Sequence, residues 1–217
     1  MSSSEPARGR AERDRLAQAD RFVARIVAVC RRDTGAGQAI RSAVGRTPAE
    51  AVRAHRYVAR HIREMPAQAE EWAHYSVAGL VALYDPRAKP AKDHLVTDGQ
   101  SVEEAAALTW GERLYGRNLG GVLAALDAPG VRGEDDPEGP SARRLQSLAR
   151  EDLTGLHTTL PGLLRRVASG RLLPDWAVLL HDLSGWDRDQ ARDAAALRWS
   201  TAYYTHLART VRTGSEK

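Results

Sequence analysis

Residues 172–204 read LLPDWAVLLHDLSGWDRDQARDAAALRWSTAYY, and their spacing decides the fold. Trp176, Leu179, Leu180, Leu183 and Trp186 recur at steps of three and four. Trp199 and Tyr203 then stand four apart on the next segment. Such steps put the rings on inward-facing stripes of two consecutive helices. Three of the five tryptophans of the chain lie here. No nucleophile, metal cluster or phosphate loop accompanies them, so the stretch reads as architecture.

The same period runs through the rest of the chain, and no credible strand pair interrupts it. Leu16, Phe22, Val23, Ile26, Val27 and Cys30 mark an amphipathic helix over 11–31, broken at Asp33-Thr34-Gly35. A short helix through Ile40 and Val44 should end at Gly45, a usual residue just past a helix end. Thr47-Pro48-Ala49-Glu50 has the form of a capping box, with proline at the first helical position, and predicts a helix to about Arg63. Another follows through Trp72, Tyr75 and Leu80. Residues 85–100 read as a long surface loop. Ser101-Val102-Glu103-Glu104 reads as a second capping box, for a helix through Leu108, Trp110 and Tyr115. Leu119 to Leu126, Arg143 to Ala149 and Asp152 to Ser169 add three more, with Pro161 a kink in the last. The expectation is an all-α fold, a compact helical bundle of about eight or nine helices, as one body or two packed lobes. Its expected divisions are an N-terminal helical lobe over 1–130, an acidic Gly/Pro-rich linker over 131–140 and a C-terminal bundle over 141–217.

Composition narrows the function. The chain has 217 residues, 42% hydrophobic and 28% charged, which suits a globular protein with one good core. One cysteine leaves no internal disulfide framework and no multi-cysteine zinc site. The polar N-terminus lacks an apolar signal region, no apolar run could span a bilayer, and a cytoplasmic protein is expected. The net charge of +4 is uneven: residues 1–66 carry +7, residues 67–140 carry −7 and residues 141–217 carry +4. Blocks of this kind point to a polyanionic partner. Arginine outnumbers lysine 29 to 3, and a guanidinium grips phosphate in bidentate fashion as an ammonium cannot. GC-rich coding is an alternative source of that bias.

Three arginine clusters are the candidate phosphate contacts: Arg31, Arg32, Arg41 and Arg46; Arg56 on a helical ridge with Arg60 and Arg63; and Arg143, Arg144 and Arg150. Lys89 and Lys92 add compact cations in the long loop. For each, the alternative is a solvated face. Trp72 and Trp110 read as core. His181-Asp182 is the kernel of metal phosphohydrolases, yet such a site needs further converging ligands, and His157 and Asp189 are available by composition only. No catalytic residue, metal or cofactor is expected. A helical DNA-binding transcriptional regulator is the competing reading. It needs a recognition helix that the 142–149 segment is too short, and the 174–186 segment too apolar, to supply.

The same residues carry a resemblance. Asp175-Trp176, Leu179, Asp182-Leu183, Trp186-Asp187, Arg198-Trp199 and Tyr203-Tyr204 resemble the C-terminal signature of the CasB family, the small subunit of Cascade, the type I-E CRISPR surveillance complex. Arg32-Asp33-Thr34-Gly35 with Ala39-Ile40-Arg41, then Asn118-Leu119-Gly120 and Arg143-Arg144-Leu145, are similar to its upstream motifs, although Ser42 stands where the family has a second arginine. The resemblance implies an all-α, non-catalytic subunit. It would sit as a dimer beside the guide RNA–target DNA hybrid, with other Cascade subunits as partners. Its basic surface would stabilise the R-loop by holding the displaced strand. An R-loop exchange is nearly balanced in base-pair energy, so backbone contacts can tip it.

Overall fold

Ten α-helices and two 3-10 turns, with no strand, make up the described residues of the computed structural model, which are 5–89, 109–127, 139–170 and 172–214. The α-helices are α1 (Glu5–Arg32), α2 (Thr34–Arg41), α3 (Val52–Val58), α4 (Gln68–Tyr84), α5 (Trp110–Gly116), α6 (Leu119–Leu126), α7 (Gly139–Ala149), α8 (Leu153–Ser169), α9 (Trp176–Leu183) and α10 (Asp189–Gly214). None among the described residues is long and apolar enough to cross a membrane.

The tryptophan-rich stretch forms α9 and α10 and is the centre of the packing. Trp176, Leu179, Leu180, Leu183, Trp186, Trp199 and Tyr203 are all buried. Trp186 and Trp199 stack with centroids 5.2 Å apart, and the Trp186 indole N–H donates to the Glu151 carbonyl at 3.0 Å. Helix α9 packs against α1 and α4, while α10 packs against α6 and α7. Elements from both sides of the 131–140 segment thus share one buried cluster. Residues 131–138 lie outside the described residues, and α7 begins at Gly139.

The break at Asp33 and the turn at Gly45 follow the sequence reading. Asp33 leaves the helical region and accepts from the Ala36 N–H at 3.1 Å, so the break after α1 also caps α2. Gly45 adopts φ +69, the left-handed turn that a side chain disfavours. Asp152 and Asp175 cap α8 and α9.

Two helix assignments need correction. The Thr47–Glu50 capping-box bonds form, with the Thr47 N–H donating to Glu50 at 2.9 Å and the Glu50 N–H to Thr47 Oγ1 at 3.3 Å. They close only a turn, because Ala51 leaves the helical region at φ −84, ψ 37 and α3 starts afresh at Val52. It ends at Val58 and tightens into a 3-10 turn over Ala59–His61, after which Ile62 is extended, so no single helix runs to Arg63. The second correction concerns α5, which starts at Trp110. Thr109 is extended there and makes a complete capping box with Glu112. That box, not a continuation from Ser101, sets the helix start; residues 101–108 lie outside the described residues.

Candidate nucleic-acid interface

The family-like residues prove to be the frame that positions the charged surfaces. Asp182, buried at the end of α9, accepts from the Trp199 indole at 2.7 Å and from Arg198 Nη2 at 2.5 Å. His181 Nδ1 lies 3.4 Å from the same carboxylate. Asp182 is therefore taken up by α10, which explains the His-Asp dipeptide without a metal. No group of three potential metal ligands occurs among the described residues. Asn118 caps α6 and donates to the Arg198 carbonyl at 3.2 Å. At Gly120 a Cβ would sit 1.8 Å from the Trp199 carbonyl oxygen, so only glycine lets α6 and α10 cross this closely. Arg113 ties a third joint, donating to Asp20 on α1 and to Asp175 at the start of α9 at 2.8 Å each. These carboxylates hold its guanidinium charged, above the ordinary arginine range.

The sequence-derived arginines decorate this frame in three places. Arg31 and Arg32 end α1 and are exposed. Arg41 ends α2, is half-buried, and has its Nε without a hydrogen-bond partner. Arg41 and Lys89 both act on the Cys30 thiol, which burial pushes up to about 11. The C-terminal ends of α1 and α2 and the segment after α4 therefore meet around Cys30, a small buried hydrophobe. Gly45 approaches Pro161 on α8, which brings exposed Arg46 toward that helix. Arg165, one turn beyond Pro161, is close enough to Tyr84 to lower its pKa, against a net rise caused by burial. Arg165 joins this patch, although the sequence reading passed over it. Lys89 is not a cation on a free loop: its Nζ donates to the Leu83 carbonyl at 2.9 Å and closes the end of α4. Lys92 lies outside the described residues. On α7, Ala142, Leu145 and Leu148 face inward, which leaves Arg143 and Arg144 exposed, and Arg150, in the turn just past the helix, is exposed as well. Arg56, also exposed, folds over the Tyr57 ring, with its guanidinium carbon 4.5 Å from the centroid.

The structure adds a concave basic site. A cleft of about 1020 Å³ runs between α1, the start of α4, α9 and α10, and Arg15, Arg21, Arg25, Arg63, Arg188 and Arg198 line it. Its carboxylates are Glu12, Glu70 and Asp182, and two of these are already engaged. Glu70 pairs with Arg63 at 2.8 Å, and Asp182 with Arg198. Arg188 reaches Asp187 only at 4.0 Å. Arg15, Arg21 and Arg25 are exposed and make no ion pair with the described residues. His61 on the same wall is held below the ordinary histidine pKa by burial first, then by Arg60, Arg25 and His74. Burial is the main cause, and the arginines on this wall act in the same direction. The arginines of α1 fall between its apolar positions at irregular steps, so they do not form a motif. The cleft exists because α9 packs against α1 and α10 follows it along the rim.

Comparison with known proteins follows from this geometry. The family model described as CRISPR-associated protein Cse2 matches residues 38–204. The structure of a CRISPR RNA-guided surveillance complex contains a chain 28% identical to this one at a TM-score of 0.66, with 92% of this chain and 99% of that chain covered. A second structure, of a CRISPR RNA-guided surveillance complex in a pre-nicking state, gives 29% identity and a TM-score of 0.68, covering 92% of this chain and 98% of that one. A search of curated proteins gave no match.

Proposed function

The chain belongs to the Cse2 family of CRISPR-associated proteins, and from that premise we propose that it is a non-catalytic small subunit of a type I-E surveillance complex that stabilises the R-loop by holding the displaced DNA strand. The observation that carries this reading is the arginine excess of the α1–α9–α10 cleft. Arg15, Arg21 and Arg25 lack carboxylate partners among the described residues, and a strand of phosphates supplies the missing charge. The walls of the cleft stand on helices fixed by the Asp182 and Arg113 networks, so the arginines are pre-organised for an extended backbone. Exposed Arg31, Arg32, Arg46, Arg56, Arg143, Arg144 and Arg150, with half-buried Arg41, supply further phosphate contacts on the adjoining faces. The other protein subunits, the guide RNA and a second copy of the chain are its partners in the assembly.

Nothing in the cleft reads base edges as a recognition helix in a major groove would, so the contact is sequence-independent. Competition between mixed-sequence single strands and a defined duplex tests this. Equal affinity for all single strands, falling steeply with salt, is the expected result. Strong preference for one duplex sequence overturns it in favour of a regulator.

A further inference from the structure

A second depression opens on the other flank of the α4 N-terminus and differs in chemistry from the basic cleft. It is a groove of about 900 Å³ between α3, the turn before it and the first turns of α4. Val52, His55 and Arg56 form one wall, and Gln68, Glu71 and Trp72 form the other. Val52 is 72% exposed, although it is apolar and lies at the mouth. Trp72 is only half-buried, against the expectation that it belongs to the core, and its ring meets His157 edge-on at 5.4 Å. His55 stacks on Tyr75, whose hydroxyl lies 2.6 Å from its Nδ1, so that ring is held in place. The groove therefore offers a ring on each wall, with an amide and a carboxylate beside Trp72 and a guanidinium beside His55. Arg46 and Arg53 stand exposed beside it.

We propose that this groove receives an unstacked nucleobase from the single strand whose phosphates track along the adjoining arginines. The proposal rests on the strand-holding reading above and adds a base-dependent contact to it. Charge and polarity select this occupant over the apolar side chain of a protein partner. An apolar side chain would bury Gln68 and Glu71 without hydrogen bonds, which is costly. A base meets both, since its edge donates and accepts while its face stacks on aromatic rings. Arg56 lines this groove and Arg63 lines the basic cleft, and the two depressions flank the start of α4 at Gln68 and Glu71 on one side and Ala67 and Glu70 on the other. A strand leaving the cleft thus passes the groove mouth. Glu71 lines the groove and can accept from the exocyclic amine that cytosine, adenine and guanine all carry, which favours a base over an abasic position without reading sequence.

The test compares binding of an oligodeoxycytidine of about 12 nucleotides with an abasic strand of equal length, to the full-length chain alone and within the assembled complex. The proposal expects the abasic strand to bind about tenfold more weakly, and Trp72→Leu, but not Trp72→Phe, to abolish the difference. A readout that needs no variant is photocrosslinking: a strand carrying 5-bromodeoxycytidine, which keeps the exocyclic amine, should label the peptide that holds Trp72. Equal binding of the two strands, or crosslinks confined to other peptides, overturns the groove assignment and leaves strand holding intact. Failure of both strands to bind in either setting overturns the two readings together.

Discussion

Trp199 donates its indole N–H to Asp182 at 2.7 Å while the preceding residue, Arg198, grips the other carboxylate oxygen, so one buried side chain of α9 locks two consecutive positions of α10. The Asp182 carboxylate and the Trp199 indole of this joint are buried, where a hydrogen-bonded pair is rigid and a broken one is costly. It also fixes the wall that carries Arg198 and Arg188 into the basic cleft.

Removing the carboxylate should therefore be worse than removing a surface ion pair. Asp182→Ala leaves a buried guanidinium and a buried indole N–H unmet, and a loss of roughly 3–5 kcal/mol is expected. Urea melts of the isolated chain measure it. Trp199→Ala should cost a similar roughly 3–5 kcal/mol by cavity formation. A variant that kept full stability but lost strand binding would show that Trp199 stacks on bases instead.

Gly120→Ala tests the helix crossing. The added methyl would collide with the Trp199 carbonyl, and backbone cannot swing aside as a side chain can. A destabilisation of at least about 1–3 kcal/mol is expected by thermal melting. Gly162→Ala is the control, since nothing lies within 4 Å of the position a Cβ would take there.

These joints show what was legible beforehand. The all-α class, the inward tryptophans of α9 and α10 and the break at Asp33 follow from period and local chemistry, because a helix face is set within a few residues; the capping roles of Asp33, Asp152 and Asp175 went unread. The break at Ala51 and the start at Trp110 were not legible. The Thr47–Glu50 box read as a helix start although it closes only a turn, and the box at Thr109 that breaks the helix expected through Trp110 was passed over. The basic cleft was hidden for a different reason: Arg15, Arg25 and Arg188 lie far apart in sequence and share a wall only through tertiary packing. Trp72 was misread because its neighbours on α4 are apolar, while the groove beside it depends on where α3 ends.

Stability should depend on acid through His157. Burial on α8 depresses this histidine to about 4, and its Nε2 has no partner. The unfolded chain takes up the proton near its ordinary value of about 6.5, the folded chain only near 4. Stability is thus complete above about pH 6.5 and falls as the pH drops toward 4, by an order of 3 kcal/mol. His61 and His74, also depressed, add in the same direction. His157→Gln should flatten the slope between pH 4 and 6.5 in denaturant titrations; an unchanged slope would mean that His157 protonates freely in the fold.

The arginines of the cleft should affect binding without affecting folding. Arg15, Arg21 and Arg25 are exposed and make no ion pair among the described residues, so alanine at each leaves the melting temperature unchanged. Each substitution that removes a phosphate contact should lower the slope of log affinity against log salt by about 0.7 for a single strand and weaken all sequences alike.

The central claim is that these contacts stabilise the open DNA state, and permanganate footprinting of the displaced strand on the assembled complex tests it most directly. The account predicts that Arg15→Ala, Arg21→Ala and Arg25→Ala together leave subunit assembly and guide loading intact. They should shorten the lifetime of strand opening, because only the open state uses the contacts. Negative supercoiling, which tips the same exchange, should restore part of the reactivity. Unchanged permanganate reactivity of the triple variant on both relaxed and supercoiled targets would contradict the account.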